Sequence, residues 1–186
     1  MTTITGPGMQ GFKAGPEVGN IVVQGINNLS VVVDDGPTGN FSLAQANVLY
    51  ATVTLCEPGT DHCQSIDHVQ VDTGSVGLRV LASKVRSLAL PAVEIAVDAG
   101  GKVGVTHECY PFVIGGLWGP NKVADLGMGQ QWARAIPIQL IDDQASPGLP
   151  VPADCTAAVD GQVLNSASAL GSNGILGIGS VTLDCG

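Results

Sequence analysis

The stretch from residue 48 to residue 71 limits what this chain can become more than any other. Leu49, Ala51, Val53 and Leu55 alternate with Tyr50, Thr52 and Thr54, and a period of two gives a strand with one buried face. The segment Cys56-Glu57-Pro58-Gly59-Thr60-Asp61-His62-Cys63 then makes a Pro-Gly turn closed by two cysteines, and residues 65–71 run back as a second strand. A lone hairpin is marginal in water, so the remaining chain must supply more sheet. It has the residues to do so. With 26 Gly and 11 Pro, and only 12% charged residues against 45% hydrophobic ones, it reads as many short strands between turns, not as a helical bundle or a disordered chain.

At 186 residues the chain suits one domain, or one lobe of something larger, and a chain of this size does not need disulfides in order to fold. Residues 1–20 are Gly-rich without periodicity and read as a flexible lead-in, while residues 21–186 read as a single β lobe. Within it, residues 21–23 and 29–33 look like short strands, and residues 34–40 form a loop with strong turn chemistry. Helix is confined to a turn or two around residues 83–88 and 166–170, with Ser83 and Ser166 as N-caps.

Seven basic against sixteen acidic residues leave a net charge of −9, which offers nothing to a phosphate backbone and excludes nucleic acid as a partner. No apolar run approaches the ~18 residues of a membrane span. The first residues lack the basic and apolar regions of a signal peptide, so the chain is either cytosolic or trimmed at its start. The cysteines favour the second reading, because five of them beside turns suit disulfides and an oxidising compartment, secreted or periplasmic. We expect Cys56 to pair with Cys63 across the hairpin base and Cys109 with Cys155, leaving Cys185 free or intermolecular. Zinc is the rival at the hairpin, since His62 and His68 lie near two thiols, but the spacing is not that of a structural zinc site. Calcium at Asp34-Asp35 lacks further spaced oxygen donors. Neither a metal nor a cofactor is expected.

The returning strand runs straight into Asp72-Thr73-Gly74-Ser75. By itself this is ordinary turn chemistry, with an Asp side chain accepting from the backbone and a Gly free to take φ > 0. The glycines at 171, 174, 177 and 179 do not follow a dinucleotide-binding spacing and precede no long helix. Thr73-Gly74-Ser75-Val76-Gly77 is not the G-x-S-x-G elbow of serine hydrolases. Weight comes from the order of later pieces. Gly115-Gly116-Leu117-Trp118-Gly119 sits at a turn, Ala124-Asp125-Leu126-Gly127-Met128-Gly129 ends a strand, and Ile136-Pro137-Ile138-Gln139-Leu140-Ile141 is the next strand. Asn173-Gly174-Ile175-Leu176-Gly177-Ile178-Gly179 follows about one hundred residues after the Asp-Thr-Gly-Ser. In that order, from about residue 48 to residue 179, these pieces resemble the N-terminal lobe of the pepsin-like aspartic proteases. They are similar to its catalytic loop, its flap hairpin and the apolar-apolar-Gly segment that crosses the loop. The lead-in Ile66-Asp67-His68-Val69 and the closing Leu183-Asp184-Cys185-Gly186 look most like an uncharacterised bacterial secreted branch with this signature.

The resemblance implies an all-β, pepsin-like lobe of packed sheets with few short helices, and peptide-bond hydrolysis in acid. In that chemistry two carboxylates share one proton, so that one takes a proton from water while the other donates to the scissile carbonyl oxygen. By resemblance Asp72 is one of the two, Gly74 lets the backbone come close, Ser75 hydrogen-bonds the outer oxygen of Asp72, and Thr73 reaches the opposite lobe's loop. Tyr110 and Trp118 both lie near the place of the flap residue over a peptide or protein substrate, and Trp118 reads as that residue, with packing on the sheet as its alternative. Asp72 sits at the centre of the longest groove. Gly177 lies beside it, because only a residue without a side chain allows that approach. The chain holds a single Asp-Thr-Gly, so it reads as half of an endopeptidase, inactive as a lone monomer. A second lobe, or a homodimer partner bringing its own Asp72 across a twofold axis, would complete the pair. The alternative is a non-catalytic module that keeps the cleft as a peptide or glycan groove.

Overall fold

The hairpin anticipated from the sequence forms one wall of a closed barrel. A computed structural model of the protein describes residues 28–37, 47–97, 99–143 and 148–180. The lead-in, the strand expected at 21–23 and Cys185 lie outside the described residues. The strands are β1 (Val31–Val32), β2 (Tyr50–Cys56), β3 (Cys63–Asp72), β4 (Val76–Leu81), β5 (Glu94–Ala96), β6 (Val103–Val105), β7 (His107–Phe112), β8 (Gly115–Met128), β9 (Gln131–Ile141) and β10 (Gly174–Ile178). Two short helices, α1 (Ala153–Ala158) and α2 (Ala167–Leu170), complete the described fold. It is all-β, as expected.

Six strands in the order β2-β3-β10-β4-β9-β8 close on themselves, because β8 returns to pair with β2 through Thr54 with Gly127, Leu55 with Leu126 and Cys56 with Asp125. Closure removes the free edges that a sheet would otherwise expose. Ala51, Val53 and Leu55 point inward from β2, and Val53 and Leu55 lose all solvent contact, each burial worth roughly 1.5–3 kcal/mol. The alternation slips at one end, where Tyr50 is buried and Leu49 exposed. The cause lies on the partner strand: Ala51 pairs with Val69 but Val53 with Ile66, so β3 carries an extra residue, and His68 takes φ 48 to form a β-bulge. Ile66 and Val69 therefore both face the core, three positions apart.

A second core, built on Leu81, Leu117, Ile141, Leu164, Leu170 and Ile175, is separate from the barrel interior. β8 serves both regions. Its first half pairs with β7 and its second with β9 and β2. The Gly-rich run 115–119 is thus not a turn, contrary to expectation. The turn is Val113-Ile114, and the glycines are there for close packing: a Cβ on Gly116 would lie 2.1 Å from Val159 Cγ1, and one on Gly119 would lie 1.9 Å from the Leu140 carbonyl oxygen.

The helices also differ in part from expectation. At 83–88 only a 3-10 turn forms, Ala82–Lys84, because Ser83 gives both its N–H and its hydroxyl to the Asp143 carboxylate instead of capping a helix. α2 starts as expected, with the Ser166 hydroxyl accepting from the Ala169 N–H at 3.1 Å. α1 was not anticipated. It follows Pro152 and carries the buried Cys155, which is bonded to Cys109 of β7. The other expected bridge, Cys56 to Cys63, closes the β2–β3 hairpin.

Candidate functional site

β3 ends at Asp72 and β4 begins at Val76, so Asp72-Thr73-Gly74-Ser75 is the turn between two strands that are not paired with each other. β10 lies between them. It runs parallel to β3, with Gly177 opposite Asp72, and antiparallel to β4, with Gly177 opposite Gly77 and Ile178 opposite Val76. A Cβ on Gly177 would fall 2.5 Å from the Val76 nitrogen and 2.6 Å from the Ser75 carbonyl carbon, closer than atoms can pack. One residue type fits. The Gly179 N–H then donates to the Ser75 carbonyl at 2.7 Å, tying the crossing strand to the loop.

The loop in turn holds its carboxylate. The Gly74 N–H donates to Asp72 Oδ1 at 2.9 Å, and the Ser75 hydroxyl donates to Oδ2 at 2.6 Å; hydrogen bonds to an ionised acceptor are the short, strong class. Ser75 is buried, Asp72 half-buried, and Thr73 and Gly74 exposed. A carboxylate is thus fixed from its own loop while remaining open to solvent. Ser75 makes the bond to Asp72 that the resemblance implies, and Thr73 is exposed.

Tyr110 and Trp118 lie on the β7–β8 hairpin, three residues before and four residues after its Val113-Ile114 turn. Of the two, Tyr110 is the one linked, through Arg79, to the first residue of β4 beside the Asp72 loop. It packs on the Arg79 guanidinium, whose carbon sits 3.7 Å from the ring centroid, and Arg79 Nη1 donates to the Val76 carbonyl at 2.7 Å. Trp118 stacks on His107 with centroids 5.4 Å apart and donates its indole N–H to the Leu149 carbonyl at 3.1 Å. It is engaged in packing. Arg79 is the functional candidate that reading the sequence missed, although a lone charge inside Leu78-Arg79-Val80-Leu81 was a signal.

Residues 24–186 match the family described as a protein of unknown function, DUF3443. The chain belongs to the DUF3443 family. No curated protein matches it. The matched span takes in every part of the Asp72 site, from β2 to β10, together with both disulfides.

Elsewhere in this DUF3443 chain two surface pockets stand out, and Asp72 lines neither, so the groove expected around it is not one of them. One, of about 510 Å³, is bordered by Gly59, Thr60, Asp61, Asp125, Arg134 and Ala135. There the buried Asp125 accepts from the Ala135 N–H at 2.7 Å, Arg134 Nη1 at 2.8 Å and the Gly59 N–H at 3.0 Å. These bonds, that from Ala135 first, hold its pKa down at about 2. The other pocket, of about 450 Å³, is lined in part by Tyr50, Asp67 and His68. His68 Nε2 lies 3.1 Å from Asp34 Oδ2, and Asp34 Oδ1 accepts from the Gly36 N–H, so Asp34 ties its own loop to β3. Both hairpin sulfurs are in the disulfide, which leaves the zinc alternative without thiolates. Asp142, at the end of β9, is different in kind. Burial raises its pKa, with His107 opposing and Asp143 adding to the shift.

Proposed function

We propose that this protein is half of an aspartic-type endopeptidase that contributes Asp72 to a water-activating carboxylate pair for peptide-bond hydrolysis. The observation that carries the reading is β10 threaded between β3 and β4, with Gly177 pressed on the backbone of a loop whose Ser75 and Gly74 hold the Asp72 carboxylate. That is the arrangement which resemblance to the pepsin-like lobe requires of Asp-Thr-Gly-Ser and Gly-Ile-Leu-Gly. The pepsin-like fold is part of the same proposal. So is a secreted or periplasmic location, for which two disulfides speak; among the described residues no helix is long and apolar enough to cross a membrane.

The chemistry limits what one such chain can do. A lone carboxylate cannot be the ionised base towards water and the protonated acid towards the carbonyl oxygen in the same step. The second Asp comes from a second lobe or from another copy of the chain, and the substrate is a peptide or protein. The test is cleavage of an unstructured protein in acid, followed against protein concentration and against sedimentation. A monomer should be inactive. Turnover should appear only with the assembled pair, peak where the pair holds one proton, and vanish in Asp72→Asn, which keeps the shape but cannot take the proton. Turnover by a demonstrated monomer, or turnover retained in Asp72→Asn, overturns the reading. An assembled but inactive protein that binds peptides or glycans would instead identify a non-catalytic module.

A further inference from the structure

We propose that Arg79 is a positioning residue that locks the β7–β8 hairpin to the Asp72 loop, so that hairpin and loop keep one geometry relative to each other. Its place in catalysis rests on the protease reading above; the coupling itself does not. Arg79 is only 1% exposed and is the largest of the fully buried side chains among the described residues. A guanidinium taken out of water is costly unless its donors are met. Here Nη1 donates to the Val76 carbonyl at 2.7 Å and Nη2 donates to Glu108 Oε1 at 2.9 Å, while the face of the group packs on Tyr110.

The two ends of this contact are the two parts of the site. Val76 follows Ser75, whose hydroxyl holds Asp72, and Glu108 and Tyr110 belong to β7. Gln139, the Cα partner of Arg79 on β9, reinforces the junction by donating Nε2 to the Glu108 carbonyl at 2.8 Å. Side chains from two adjacent barrel strands thus converge on one residue of the hairpin. A planar fork can satisfy both ends at once. A lysine carries a single ammonium point charge and lacks that fixed fork. An apolar residue of similar volume would often be no less stabilising at a buried site, so stability alone does not call for an arginine.

The Cys109–Cys155 bridge keeps the hairpin attached to α1 in any Arg79 or Glu108 variant, which allows the coupling to be read without losing the fold. The experiment is backbone hydrogen exchange on the oxidised full chain, wild type against Arg79→Lys and Glu108→Gln, with thermal unfolding measured alongside. Loss of one buried charge-assisted bond should speed exchange roughly tenfold or more at residues 74–77 and 109–115 together, while β2 and β3 stay within about twofold. Arg79→Lys should lower the melting temperature and still speed exchange at these two segments beyond the change in β2 and β3, a localisation that a merely structural role would not produce. Acceleration on one side only, an equal acceleration of every strand, or no change overturns the proposal. If Arg79→Lys does not fold, Glu108→Gln decides by the same criteria. The measurement is indifferent to whether Asp72 reacts. Intact coupling with no cleavage by any assembled form would overturn the enzymatic reading alone.

Discussion

At position 177 a single hydrogen is all the side chain the structure admits. The crossing strand lies so near the Asp72 loop that a methyl group would meet backbone atoms of both Ser75 and Val76, and backbone, unlike a flexible side chain, cannot swing aside. Gly177→Ala should therefore cost about 2 kcal/mol or more, in the range of overpacked cores, and urea unfolding should show it as a lower midpoint. An unchanged midpoint would mean that the loop yields easily. This close approach and the Ser75 bond were both anticipated through the resemblance to the pepsin-like lobe, because nothing local to Gly177 states which loop, about one hundred residues away, its strand will cross. Arg79 was legible only by half. Its charge inside an apolar run announces burial with a partner, but Glu108 lies 29 positions away, and no local pattern states which acid it meets. The same limit applies to the choice between a flap role and sheet packing for Trp118: neighbours along the chain were visible, whereas the His107 stack on Trp118 and the Arg79 contact beneath Tyr110 depend on how strands stack.

Elements were readable where one local rule governed them. The β2–β3 hairpin has its alternation, its Pro-Gly turn and its two cysteines in one continuous stretch, and α2 has Ser166 at its cap. The 83–88 segment failed for a tertiary reason, since Asp143, sixty positions away, claims Ser83. The hairpin turn at Val113-Ile114 was misplaced because glycines are commonest in turns, whereas here Gly116 and Gly119 make room for Val159 and for the β9 backbone. The disulfides separate local from long-range effects in the same way. Cys56 and Cys63 are 7 positions apart and Cys109 and Cys155 are 46 apart. On the loop-entropy estimate, replacing the first pair by Ser costs at most roughly 2–3 kcal/mol and replacing the second roughly 4 kcal/mol. The first loss should be smaller still, because that hairpin is also held by the Gly59 N–H on Asp125 and by its paired strands. Denaturant midpoints of the two double-Ser variants test the order, and a larger loss for Cys56/Cys63 would contradict it.

For the molecule as a whole, two buried-side carboxylates pull its stability in opposite directions as the solution is acidified. Asp125 is held at about 2 against an ordinary 3.8. Its bonds to β9 and to the β2–β3 turn are therefore fully present above about pH 4, and they are lost as the pH falls from there through about 2, where the unfolded chain has already taken up its proton. Asp142 is shifted the other way, by burial before any neighbouring charge. Its folded form takes the proton first, so its cost is present at neutral pH and is relieved as the pH falls through its raised value towards 3.8. His107 opposes that shift without reversing it. Taken together, the two shifts should make the fold most stable in mild acid. The outcome can be read from urea unfolding between about pH 3 and pH 8. Asp142→Asn, which mimics the protonated side chain, should be more stable than wild type at neutral pH and converge with it near pH 3.8. Asp125→Asn should be less stable at neutral pH, with the gap narrowing only below that point. An Asp142→Asn protein that is weaker than wild type throughout would show that Asp142 is needed as an anion, and the predicted rise in stability towards mild acid would then have no source.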